Sequence, residues 1–165
     1  MQGLLLVYSH AHDCGALGSF AKRHNVTTQR SRHRTNSPRS GVVLVDSPEK
    51  TLMETAVQMG QLALCAIERP NFSLLGWAME TEAENLLTGE VIPDTRTDEQ
   101  KRLLDFVRTA GHNGWHDDYA KMRVPPLLKQ LQESGLELDV ICGVMLARGA
   151  RASSIEKLPM LAKKA

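Results

Sequence analysis

Two short runs of apolar, largely β-branched or aliphatic residues constrain this chain most: Leu-Leu-Leu-Val-Tyr at 4–8 and Val-Val-Leu-Val at 42–45. Each falls far short of the roughly 20 apolar residues needed to span a membrane. Each is also preceded by Gly and closed by polar residues, which favours a buried strand over a helix. Residues 16–24 suit a short helix between them, so strand, helix and strand would make a minimal parallel unit. With 165 residues the chain is long enough to bury a core of its own.

Downstream, the pattern turns helical. Asp46-Ser47-Pro48-Glu49 carries the marks of a helix start: Ser47 as cap, Pro48 in the first turn and Glu49 at the positive end of the dipole. The spacing of Leu52, Ala56, Met59, Ala63 and Ala66 predicts one largely buried helix over 47–68. A second is expected over 72–87, closed by Gly89, and a third after the Thr97-Asp-Glu-Gln100 capping box, closed by Gly111. Val124-Pro125-Pro126 reads as the opening of a short helix through Gln132, because proline is tolerated in a first turn. Residues 136–146 fit a buried helix or a strand equally. Ser153 or Ser154 would cap a last helix limited by Pro159. The expected class is helix-dominated α+β: a single compact domain over 1–165 with a minor N-terminal two-strand β element and no internal repeat.

The net charge of +1 conceals three unequal segments. Residues 14–45 hold six bases (Lys22, Arg23, Arg30, Arg32, Arg34 and Arg39) and no acid. Residues 46–100 hold eleven acids against three bases, and residues 101–165 eleven bases against seven acids. The stretch 25–40 is nearly free of apolar residues, so it reads as an exposed basic loop or arm. Clustered guanidinium groups there could neutralise phosphates of DNA or RNA, and the alternative is a solvated loop resting on the chain's own acidic middle. Cys14, Cys65 and Cys142 are widely spaced and form no Cys-x-x-Cys, and no secretory signal precedes them, so a reducing cytoplasm is the expected setting.

Two histidine clusters carry possible chemistry. Ser9-His10-Ala11-His12-Asp13-Cys14-Gly15 follows the first apolar run directly. His10, His12 and Asp13 at a strand end are suitable ligands for a divalent metal such as zinc, which would acidify a water and so supply a hydrolytic nucleophile. This stretch resembles the opening of the metallo-β-lactamase-fold hydrolases, in which an apolar strand leads into His-x-His-x-Asp-His. His10 and His12 match the first two histidines of that pattern, whereas Cys14 stands at the aspartate and Gly15 at the third histidine. The resemblance covers about fifteen residues and implies a metal-dependent hydrolase.

The second cluster is Gly111-His112-Asn113-Gly114-Trp115-His116-Asp117-Asp118-Tyr119. On a helix His112 and His116 would share a face, with Asp117 adjacent, and could hold one cation. The two glycines argue instead for a turn in which Asn113 or Asp117 caps a helix and Trp115 packs nearby. Finally, residues 140–161 loosely resemble a helix-turn-helix around Gly149, although Arg148 and Pro159 fit an ordinary helical hairpin better.

The sequence therefore favours a nucleic-acid-associated accessory or regulatory protein with a phosphate-binding arm; the alternatives are a metal-dependent hydrolase in which the two histidine clusters meet, using His10, His12, Asp13, His112 and His116, and a helical protein-interaction module without a catalytic site. Gly-x-Ser-x-Gly, P-loop, Gly-x-Gly-x-x-Gly and His-Glu-x-x-His signatures are all missing from the sequence. No membrane partner is expected.

Overall fold

The computed structural model describes residues 4–8, 25–28, 41–46, 48–59, 63–68 and 73–164. The chain is a helix-dominated α+β protein with its parallel β element near the N-terminus. Its contacts gather into two compact units, Met1–Phe72 and Ser73–Ala165. Among the described residues no helix is long and apolar enough to cross a membrane.

In the first unit the two expected strands form and pair: β1 is Leu4–Tyr8 and β3 is Val42–Asp46, parallel, with Leu4 opposite Val42 and Val7 opposite Val45. Two further strands enlarge the sheet. β2, Asn25–Thr28, pairs with the outer side of β1, and β4, Ala63–Ile67, pairs with β3, giving the order β2-β1-β3-β4 with every pairing parallel. The expected loop or arm over 25–40 is thus corrected at its start, where Val26, Thr27 and Thr28 are β-branched and favour extended backbone.

The expected long helix over 47–68 is also corrected. The observed helix α1 is Lys50–Val57, with Glu49 as its N-cap, and Gln58 closes it. Leu52, Met53 and Ala56 are fully buried, so the predicted stripe is real over its first two turns. Beyond them the same apolar spacing is used differently: Ala63–Ile67 is a strand paired with β3 through five consecutive rungs.

The second unit is built on helix packing. α2 is Leu75–Thr81, α3 Asp98–Ala110, α4 Asp118–Glu133 and α5 Leu138–Ala147, followed by the one-turn helices α6, Ala152–Ile155, and α7, Leu158–Ala162. α5 is the centre of the core, with Ile141, Cys142, Val144 and Met145 fully buried, which resolves the helix-or-strand ambiguity at 136–146. α2 crosses α5 where glycines meet backbone. A Cβ on Gly76 would stand 2.0 Å from the Val140 carbonyl oxygen, and one on Gly143 2.9 Å from the Trp77 nitrogen.

Local sequence rules explain most ends. The Thr97 hydroxyl accepts from Gln100 N at 3.2 Å while the Gln100 side chain accepts from Thr97 N at 2.9 Å, so the capping box forms as read. The helix expected over 72–87 stops at Thr81 instead, because Glu82 takes a left-handed conformation (φ 52°). A small hairpin follows, β5 Glu84–Asn85 with β6 Glu90–Val91. Its turn is held by Asn85 Oδ1 accepting from Leu87 N at 3.0 Å, and Gly89 supplies a positive φ of 73°.

Pro125 and Pro126 do not open a helix but lie inside α4. Each leaves the carbonyl four residues earlier without its helical donor, and those residues, Lys121 and Met122, are exposed, so water can serve them. Pro159, likewise, stands in the first turn of α7 rather than ending a helix. The tail is a turn at Gly149 followed by helices of four and five residues, too short for the recognition helix of a helix-turn-helix.

Candidate functional site

In a parallel sheet the strands leave at one common edge, and here β1 and β3 leave it side by side. The pair Val7–Val45 is the last rung between them, so Tyr8 ends β1 next to Asp46, the final residue of β3. Asp46 is only 5% exposed, and it pairs in backbone register with Ile67 of β4. The strand order turns back at this point, since β2 lies to one side of β1 while β3 and β4 lie to the other. In open parallel sheets, ligands usually bind at such a reversal, outside the carboxyl ends of the two central strands. α1 starts four residues after Asp46, with Glu49 exposed at its N-cap.

His10, His12 and Asp13 of the first histidine cluster lie outside the described residues, as do Lys22, Arg23, Arg30, Arg32, Arg34 and Arg39. Asp46 was read from sequence only as part of a helix start. As the first charged residue after an apolar β-branched run, it also had the signature of a strand-end carboxylate.

The second histidine cluster is a turn. Residues 111–117 are non-helical, so His112 and His116 do not stack at helical spacing. Gly114 and Trp115 both have positive φ, 85° and 57°, and Trp115 is buried, its Nε1 donating to the Val107 carbonyl at 2.8 Å. Asp117 caps α4 by accepting from Ala120 N at 2.7 Å. That backbone bond, with smaller help from Asn113, His112 and His116, holds its carboxyl below the ordinary range. His112 is exposed, with Nδ1 3.3 Å from the Thr109 carbonyl oxygen. Among the described residues no group of three or more His, Cys, Asp or Glu side chains converges to hold a metal.

The second unit also holds a cleft of about 550 Å³ whose charged lining includes Glu80, Asp94, Arg96, Lys101, Asp105 and Arg148. Arg96, 4% exposed at its side chain, binds Asp94 through Nε at 2.6 Å and Nη2 at 2.9 Å, and Glu80 through Nη1. Arg148 donates through Nε to Glu80 at 2.7 Å and through Nη1 to Asp105 at 2.8 Å, and Lys101 reaches Asp94 at 3.1 Å. The Arg96 hydrogen bond is the main reason the Asp94 carboxyl sits far below its usual range. Burial pushes Glu80 upward, but its bonds from Arg148 and Arg96 outweigh this and lower it.

Three cations here meet three carboxylates, so an incoming anion would have to displace one of the chain's own. The network ties the segment after the hairpin to α2 and to the end of α5. Sequence offered no signal for it, because Glu80 and Arg148 stand 68 positions apart. An adjoining cleft of about 520 Å³ includes Arg108, His112 and Trp115 in its lining and shares Asp105 and Arg148.

This chain matches no protein-family model, no curated protein and no solved structure.

Proposed function

We propose that the protein is a metal-dependent hydrolase acting on a phosphate-bearing substrate, with its metal at the carboxyl edge of the N-terminal sheet. His10, His12 and Asp13 would supply ligands from the segment after β1, and Asp46 the carboxylate at the end of β3. The observation that carries this reading is the parallel pairing of β1 with β3, which ends Tyr8 alongside Asp46. His10 is two residues past Tyr8, within about 7 Å of extended chain, and Asp13 five residues past it, within about 17 Å.

Imidazoles and carboxylates together suit zinc or manganese. A divalent cation at this edge would acidify a water as nucleophile and offset charge on a phosphoryl oxygen. The basic residues Lys22, Arg23, Arg30, Arg32, Arg34 and Arg39 belong to the same unit and suit a polyanion, which makes nucleic acid the favoured substrate. His112, His116 and Asp117 take no part in this reading.

The test uses tag-free protein with bis-p-nitrophenyl phosphate and a single-stranded oligonucleotide, each with added zinc or manganese and with EDTA. Turnover should require metal, fall to the EDTA background in His10→Ala and His12→Ala, and persist in His112→Ala. Metal-independent turnover, or salt-sensitive oligonucleotide binding with no turnover at all, would overturn the hydrolase reading, the latter in favour of an accessory nucleic-acid binder.

A further inference from the structure

Two clefts adjoin in the C-terminal unit, and their charges differ. In the cleft around Arg96, the cations Arg96, Lys101 and Arg148 are each held by a carboxylate of the chain. In the neighbouring cleft of about 520 Å³ the lining holds Arg108, His112 and Arg148 against a single acid, Asp105. That acid is already spent on Arg148, at 2.8 Å. Arg108 is exposed, and among the described residues its side chain has no hydrogen bond or ion pair. His112 places Nδ1 against the Thr109 carbonyl oxygen at 3.3 Å, which leaves Nε2 as a second donor when the ring is protonated.

The wall of this cleft is held in costly backbone. Trp115 takes φ 57°, in the left-handed region that bulky side chains rarely occupy. Its bond to the Val107 carbonyl fixes the indole in the wall, and Gly111 leaves room for it, since a Cβ there would overlap the ring. Sparsely populated backbone conformations persist only where the surroundings enforce them, and they gather at ligand sites. Met145 and Ala150 add apolar lining.

We propose that this cleft binds a small organic oxyanion, its phosphate or carboxylate held by Arg108 and His112 and its apolar body against Trp115, Met145 and Ala150. A guanidinium grips two oxygens in parallel, and the imidazolium adds one further N–H. The cleft is of the size that small-molecule sites have, with a mostly apolar wall and a few convergent polar groups. It contributes no ligand to the proposed metal centre, and its test is run in EDTA without turnover, so either reading can fail while the other stands.

Nitrogen-labelled full-length protein has one indole N–H resonance for each of its two tryptophans, and Trp77→Phe assigns the Trp115 signal. Titrated in EDTA with phenyl phosphate and, separately, with benzoate, the Trp115 signal should shift saturably with at least one, and the tighter of the two identifies the head group. Phenol, which has the ring without the oxyanion, should not move it. Arg108→Gln should weaken binding about tenfold or more, the loss of one charge-assisted hydrogen bond, whereas Arg123→Gln, outside the cleft, should leave it unchanged. No saturable shift with either oxyanion at millimolar concentration, an equal shift with phenol, or binding that Arg108→Gln weakens no more than Arg123→Gln does would each overturn the proposal.

Discussion

Replacing Gly76 by alanine perturbs the closest approach in the C-terminal unit. The added Cβ would lie 2.0 Å from the Val140 carbonyl oxygen, 2.8 Å from its carbon and 3.0 Å from its Cα, all backbone atoms of α5 that cannot rotate away. Ordinary contact begins near 3.4 Å, so α2 and α5 must separate by about 1.4 Å, the difference between 3.4 and 2.0 Å. Overpacking of this kind costs about 3 kcal/mol. Alanine recovers at most about 1 kcal/mol of that through its better helix propensity. The net loss is about 2 kcal/mol, which lowers Tm by roughly 8–16 °C in a unit of this size.

Tryptophan fluorescence reports this unit selectively, because the chain's two tryptophans are Trp77 and Trp115. Gly143→Ala is the internal comparison: its nearest contact is 2.9 Å and it gains a mid-helix alanine, so its Tm should fall less. A Gly76→Ala protein that melts at or above the wild-type temperature would show that the helices do not cross as described.

Two further outcomes follow from the same unit. Asp94 and Glu80 have folded pKa values below their unfolded ones, so their pairing contributes stability above about pH 4 that is lost as pH falls through the folded values. The denaturant midpoint should therefore drop on acidification below about pH 4. Arg96→Ala should flatten that dependence, and an unchanged slope in the variant would refute the link. Trp115→Phe removes the donor to the Val107 carbonyl and should cost about 1–3 kcal/mol, read as a fall in the urea midpoint by circular dichroism; a change within 0.5 kcal/mol, roughly the surface-substitution range, would contradict the buried bond.

What was legible in the sequence was local. The Thr97 box, the Asp117 cap and the two apolar strands follow from side chains acting within four residues of one another. Errors arose where one pattern served two structures. Leu52, Ala56, Ala63 and Ala66 fit one helical stripe, yet Ala63 and Ala66 also fit a strand, and only the ladder with β3 decides between them. Polar composition hid β2, whose signal was the β-branched Val-Thr-Thr. Pro125 and Pro126 broke the propensity rule because the carbonyls they deprive belong to exposed residues. Asp46 was visible but misassigned, because its place beside Tyr8 depends on long-range parallel register. The network of Glu80, Asp94, Arg96 and Arg148 is a tertiary arrangement that no sequence spacing announces.

Metal stoichiometry bears most directly on the proposed site. Tag-free protein dialysed against zinc or manganese and analysed by plasma mass spectrometry should retain stoichiometric metal. A His10→Ala, His12→Ala double variant that keeps the wild-type circular dichroism spectrum should lose it, and His112→Ala should not. Wild-type protein that retains no metal, or a double variant that retains as much as wild type, would contradict a metal centre at the end of β1 and β3.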